Sequence, residues 1–123
     1  KHLRINWKEG EKHFRNCLLD FNEANNVAQW QWVAGCGADA APYFRIFNPI
    51  LQGEKFDKQG LYVKKWVPEL ERVPNKFIHK PWEMETKYQE AIKTKIGSDY
   101  PSPIVVHEEA RNAALKAFQT LKN

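Results

Sequence analysis

Helical spacing is the first regularity in the chain. From about Asn6 to Leu19, Trp7, Glu11, Phe14, Cys17 and Leu18 recur every three or four positions, which predicts an amphipathic helix capped by Asn6. Asp20 falls at its end. A second helix is expected from Asn22 or Glu23 to about Ala34, stopped by Gly35 and Gly37, since glycine takes the left-handed geometry common after a helix. Pro49 is placed to open a third helix carrying Leu51, Gln52 and Lys55, because proline suits a first helical position. A turn over 57–60 and a short helix from Leu61 to Trp66 follow. Pro68, Pro74 and Pro81 break the next segment into short pieces, and Pro101 and Pro103 bracket a loop. Glu83 to Ile96 and His107 to Leu121 read as charged helices. The second carries Ala110, Ala113, Ala114, Ala117, Phe118 and Leu121 on one side, a docking face. Long strands are not expected, so the fold class is all-α. No repeat, low-complexity tract or second domain is visible.

Composition narrows the class. The chain has 123 residues, 42% hydrophobic and 28% charged, enough for one modest core but without a stretch able to cross a membrane. A soluble, cytoplasmic protein is therefore expected. It starts at Lys1 with no basic segment and apolar run of a secretory signal, and reads as a fragment of a longer protein. Cys17 and Cys36 are too far apart for a Cys-x-x-Cys pair, and His2, His13, His79 and His107 lack ligand spacing, so no metal site is expected. The net charge of +4 suits a polyanionic partner. Within 52–82 seven basic residues face four acidic ones, a mild local excess.

The candidate chemistry lies on the second helix. Asn22, Asn26 and Trp30 follow one another at intervals of four and form a stripe, while Trp32, two residues beyond Trp30, points elsewhere. Amides donate and accept hydrogen bonds with ring nitrogens and oxygens, an indole stacks or passes an electron, and Asp20 adds a carboxylate acceptor. Such a stripe suits a planar heterocycle. The same residues also suit ordinary structure: asparagine caps helices and tryptophan fills cores. Tyr43, Phe44, Phe47 and Phe56 are expected to pack the loop and third helix, with Trp66 and Trp82 as structural aromatics. Lys58, Lys64 and Lys65 read as a solvated face.

The run Trp-Gln-Trp-Val-Ala-Gly-x-Gly-x-Asp-Ala-Ala-Pro-Tyr-Phe-Arg-Ile-Phe-Asn-Pro, continuing into Gln-Gly-Glu-Lys-Phe-Asp and Tyr-Val-Lys-Lys-Trp-Val-Pro-Glu-Leu, closely resembles the flavin-binding domain of the photolyase and cryptochrome family. The later Val-Pro-x-Lys-x-Ile-His-x-Pro-Trp and Tyr-Pro-x-Pro-Ile-Val-x-His-x-Glu-Ala-Arg extend the resemblance over essentially the whole chain, most like bacterial class I cyclobutane pyrimidine dimer photolyases. A full member of that family is several times longer. The resemblance therefore implies a C-terminal piece of the helical FAD-binding domain, with an N-terminal antenna domain, its folate-like chromophore and the upstream half of the FAD domain lying outside this sequence.

What the resemblance implies can be placed position by position. Asp20, Phe21 and Asn22 fall where the family contacts FAD, and Asn26 where its side chain faces the flavin N5. The family usually has a second carboxylate at Asn22; an amide oxygen can still accept from the ring but brings no charge. Trp30 matches the tryptophan nearest the flavin and Trp7 the middle member of the electron relay. Trp32 matches the residue that packs on the flipped-out thymine dimer, where an aromatic face replaces lost stacking worth about 1–3 kcal/mol per base. Arg45, Gln52 and Lys55 match positions that approach DNA, holding phosphates beside the lesion. The implied activity is light-dependent repair of pyrimidine dimers in double-stranded DNA by a monomeric flavoenzyme, with no membrane partner. The alternatives are a blue-light photoreceptor of the same family and a helical DNA-binding module without cofactor.

Overall fold

The computed structural model describes residues 1–38 and 44–122, with no side-chain description at Lys122. Residues 39–43, including the Asp-Ala-Ala-Pro-Tyr run and the packing expected of Tyr43, lie outside the described residues. The chain forms two compact units, Lys1–Ile46 with Val105–Asn123, and Phe47–Ile104.

In the first unit, Asn6 opens α1 (Trp7–Cys17) by accepting the Lys8 N–H at 3.0 Å, and Leu18 leaves the helix in an extended conformation. Asn22 opens α2 (Glu23–Ala34) in the same way, its side-chain oxygen taking the Asn25 N–H at 3.0 Å. Gly35 closes α2 at φ 80°, where its N–H returns to the Gln31 and Trp32 carbonyls; a side chain would strain that left-handed backbone. α1 packs on α2. The long helix His107–Lys122 runs as expected. It buries Ala114, and Phe118 stacks on Phe44 with ring centroids 4.3 Å apart. Leu121 and Ala117 on the same stripe are exposed, so the alanine-rich face is covered only in part.

The second unit contains α3 (Pro49–Phe56), capped by Asn48, and α4 (Leu61–Trp66). The Asp57 carboxylate accepts the Tyr62 and Val63 N–H groups, so the residue expected in a turn also caps α4. Short 3₁₀ turns begin at Pro68 and Pro81, as the prolines predict. The core is aliphatic: Leu70, Val73, Ile78 and Met84 are buried, with Val63, Val67, Phe77 and Ile92 packed around them. The aromatics expected to pack take a different place. Phe47 is 55% exposed, Phe56 73%, Trp66 63% and Trp82 38%. α3 and α4 are too short to wrap these rings, and branched aliphatics fill the interior instead. Lys64, expected to be solvated, donates to Asn75 Oδ1 at 2.8 Å.

The expected helix over 83–96 is a second correction: only α5 (Thr86–Ile92) is helical. Its start is delayed because Met84 is extended and buried in the core, and Lys93 ends it in the left-handed region at φ 55°. The Gln89 side chain then fastens both ends, donating to the Met84 carbonyl and accepting the Ile96 N–H, each at 2.9 Å. The final helix, His107–Lys122, is α6. Among the described residues there is no strand beyond an isolated bridge between Ile96 and Tyr100, and no helix long and apolar enough to cross a membrane.

Candidate functional site

Trp30 owes its position to a glycine. Gly10 faces the indole across the α1–α2 contact, and a Cβ there would lie 2.1 Å from the ring. Phe14, one turn along α1, meets the same indole edge to face with centroids 5.1 Å apart. A glycine inside a helix costs about 1 kcal/mol against alanine, so its presence signals a close approach of this kind. Trp7 and Trp30 both line an open cavity of about 790 Å³ in the first unit, walled further by Val33, Phe44, Ala114 and Phe118. Lys1, Arg4 and Lys8 edge it, with the Lys8 ammonium 6.0 Å from the Trp7 ring centre. Burial, then the nearby Arg45 charge, lowers the Lys1 ammonium below its ordinary value.

Trp32 does not line that cavity and is 43% exposed. Two residues apart on a helix is about 200° of rotation, so the divergence of the two indoles follows from the helix period. The stripe expected from the interval of four divides in its use. Asn22 is the helix cap, and its side-chain oxygen is committed to the Asn25 N–H. Asn26 is buried, at 7% exposure, and turns its amide N–H toward α1, donating to the Glu11 carbonyl at 3.0 Å and to Glu11 Oε1 at 3.3 Å.

Glu11 joins this amide to an ion-pair network that sequence reasoning missed. The Oε1 that accepts from Asn26 also accepts from Arg15 at 2.8 Å, and Arg15 reaches Glu23 at 2.9 Å with its other terminal nitrogen. Its guanidinium lies over the Phe21 ring at 5.6 Å. Hydrogen bonds to Glu11 first, then to Glu23, hold Arg15 above its ordinary pKa. Opposite charges four residues apart on one helix were the available signal for the pair Glu11 and Arg15. Asp20, exposed, and Phe21, half-buried, precede the α2 N-terminus, whose N–H groups favour negative charge.

Of the expected DNA-facing residues, Arg45 is exposed in the first unit, and its carbonyl accepts from the Lys1 ammonium. Gln52 and Lys55 are exposed on α3 in the second unit, with the Lys55 ammonium 5.0 Å from the Phe56 ring centre. Close to them, His79 packs where a Gly53 Cβ would stand, and its Nε2 meets the Asp57 carbonyl at 2.7 Å. Lys80 bridges Glu54 at 3.0 Å and Glu83 at 3.7 Å, hydrogen bonding to Glu54 raising its pKa.

Residues 1–120 match the family described as the FAD binding domain of DNA photolyase, and the chain belongs to that family. It is 55% identical over 122 residues to the deoxyribodipyrimidine photo-lyase of Agrobacterium fabrum, covering 99% of this chain and 26% of that protein. The crystal structure of a bacterial class III photolyase from Agrobacterium tumefaciens superposes with a TM-score of 0.93 at 55% identity, covering 99% of this chain and 25% of the other. A cryptochrome from Synechocystis gives a TM-score of 0.88 at 37% identity over 94% of this chain and 24% of its own. The chain thus spans about a quarter of the length of the relatives it matches. The helical fold and the family expected from the sequence are those found.

Proposed function

We propose that this chain is the C-terminal part of the FAD-binding domain of a light-dependent pyrimidine-dimer photolyase, and that the full-length protein repairs damaged double-stranded DNA. The observation that carries the reading is the division of α2: Trp30 enters a shared cavity with Trp7, Trp32 stands outside it, and Asn26 is tied to Glu11 of α1. Exposed Leu19, Phe56, Ile104 and Leu121 suit surfaces that other parts of a longer protein cover.

The donor set fits a flavin. Asn26 spends its N–H groups on Glu11, and among the described residues its Oδ1 takes no hydrogen bond, which leaves an acceptor for a ring N–H such as that of N5. Asn22 keeps its amide N–H groups for a ring oxygen, Phe21 offers an aromatic wall, and Asp20 a carboxylate. When bound and reduced, FAD supplies the light-driven electron that splits the dimer. The protein's residues set distance, polarity and exclusion of water, without an acid or base of their own. Trp30 and Trp7 pass an electron inward, Trp32 stacks on the extruded lesion, and Arg45, Gln52 and Lys55 hold the flanking backbone. Two of those three contacts are ionic, so their share of the salt-dependence slope is about 1.8.

The test separates the two indoles in the full-length protein. Trp30→Phe should slow light-driven reduction of oxidised flavin at least ten-fold while sparing repair by pre-reduced enzyme. Trp32→Ala should weaken binding of dimer-containing DNA by about ten-fold, the scale of one lost base stack, and leave photoreduction intact. Equal effects of both changes in both assays refute the assignment, and unchanged dimers after illumination of the reduced enzyme refute repair in favour of a photoreceptor.

A further inference from the structure

We infer that Arg15 is a positioning residue that fixes the orientation of the Asn26 amide and so biases the flavin toward its reduced state; the inference rests on the proposed placement of Asn26 at the flavin. Arg15 is 43% exposed in its side chain and touches no part of the cavity. One nitrogen binds Glu11 Oε1 at 2.8 Å, the other binds Glu23 at 2.9 Å, and the flat face covers Phe21. Glu11 is only 12% exposed, and Arg15 holds its carboxylate in the place where Oε1 accepts from Asn26.

That acceptor selects one of the two orientations of a side-chain amide. With Glu11 Oε1 and the Glu11 carbonyl both accepting, Asn26 must turn Nδ2 toward α1 and Oδ1 away from it. An amide rotated by 180° would set its oxygen against two acceptors, a repulsion inside a buried site. Oδ1 is thereby presented as an acceptor to whatever lies beyond. Reduced flavin carries a hydrogen on N5 and can donate to it, whereas oxidised flavin has an acceptor nitrogen there and is disfavoured. Arg15 acts through Glu11 and then Asn26, three hydrogen bonds from the ring with the one to N5 included. Arginine suits the task because its fork spans two carboxylates on different helices, which a lysine ammonium does less completely.

The experiment compares Arg15→Gln and Arg15→Lys in the full-length, flavin-loaded protein by redox titration. In the glutamine variant the ratio of reduced to oxidised flavin at a fixed potential should fall about ten-fold, the scale of one hydrogen bond to a charged group. Arg15→Lys should recover most of that loss. In the flavin-free protein the Asn26 side-chain N–H signals should lose exchange protection in Arg15→Gln only. An unchanged ratio in Arg15→Gln, or equal shifts in both variants, overturns the inference while leaving the proposed function standing. Should Arg15→Gln fail to take up flavin, Glu23→Gln releases half of the clamp and should shift the ratio in the same direction by less; no shift overturns the inference. An unmodified protein that takes up no flavin overturns the proposed function, and this inference falls with it.

Discussion

Gly10 and Trp30 show how little room the α1–α2 contact leaves. A Cβ on Gly10 would sit 2.1 to 2.7 Å from three ring atoms of the indole, well inside any contact that real side chains make. Two effects oppose each other in Gly10→Ala. Alanine gains about 1 kcal/mol of helix propensity, while overpacking costs about 1–3 kcal/mol. The clash is with a ring pinned by Phe14 rather than with a flexible chain end, so the cost wins and the variant should be less stable by up to about 2 kcal/mol. Denaturant unfolding followed by circular dichroism checks this; a variant as stable as the original would show that the indole has another place to go. Glu11 and Asn26 are joined just as tightly, but by hydrogen bonds between residues fifteen positions apart in sequence.

Helix α2 is specified at both ends by single residues. Asn22 supplies the opening cap and Gly35 the left-handed exit. Asn22→Ala should cost about 1 kcal/mol through the lost bond to the Asn25 N–H. Asn22→Asp should not, because a carboxylate caps equally well and sits favourably at the positive end of the helix. Thermal unfolding of the two variants gives the comparison, and equal losses would mean the cap bond carries no weight. These ends were legible in the sequence because caps and stop glycines act locally: α1, α2, α3, α4 and α6 open at or next to the expected residues. α5 was not legible. Its limits are set by Met84 entering the core and by Gln89 clasping backbone on either side, contacts that no window of local propensity contains. The candidate site divides the same way. The divergence of Trp30 and Trp32 follows from the helix period, whereas Gly10, Glu11 and Arg15 gain their roles only when α1 meets α2.

Across the first unit, the segment before α1 meets the start of α6 through two imidazoles. His2 Nε2 and His107 Nδ1 are 2.8 Å apart, a distance that needs one ring to donate and the other to accept. Burial, then the His107 charge, lowers the His2 pKa from its ordinary 6.5. The folded chain therefore takes up this proton less readily than the unfolded one. Stability on this account is complete above about pH 6.5 and declines as pH falls from there toward the lower folded value. In the chain studied alone, His2→Gln should flatten that decline, measured as melting temperature against pH between about 5 and 7.5. A decline equally steep in the variant would place its origin elsewhere.

Only Leu70, Val73, Ile78, Pro81, Met84 and Ala114 are buried apolar side chains among the described residues. Melting the isolated chain consequently brings little new hydrocarbon into water, and hydration of hydrocarbon is what gives unfolding its large heat capacity. Its increment per residue should fall below the ordinary ~12–15 cal/mol/K, so that its stability curve is shallow and bends little on cooling.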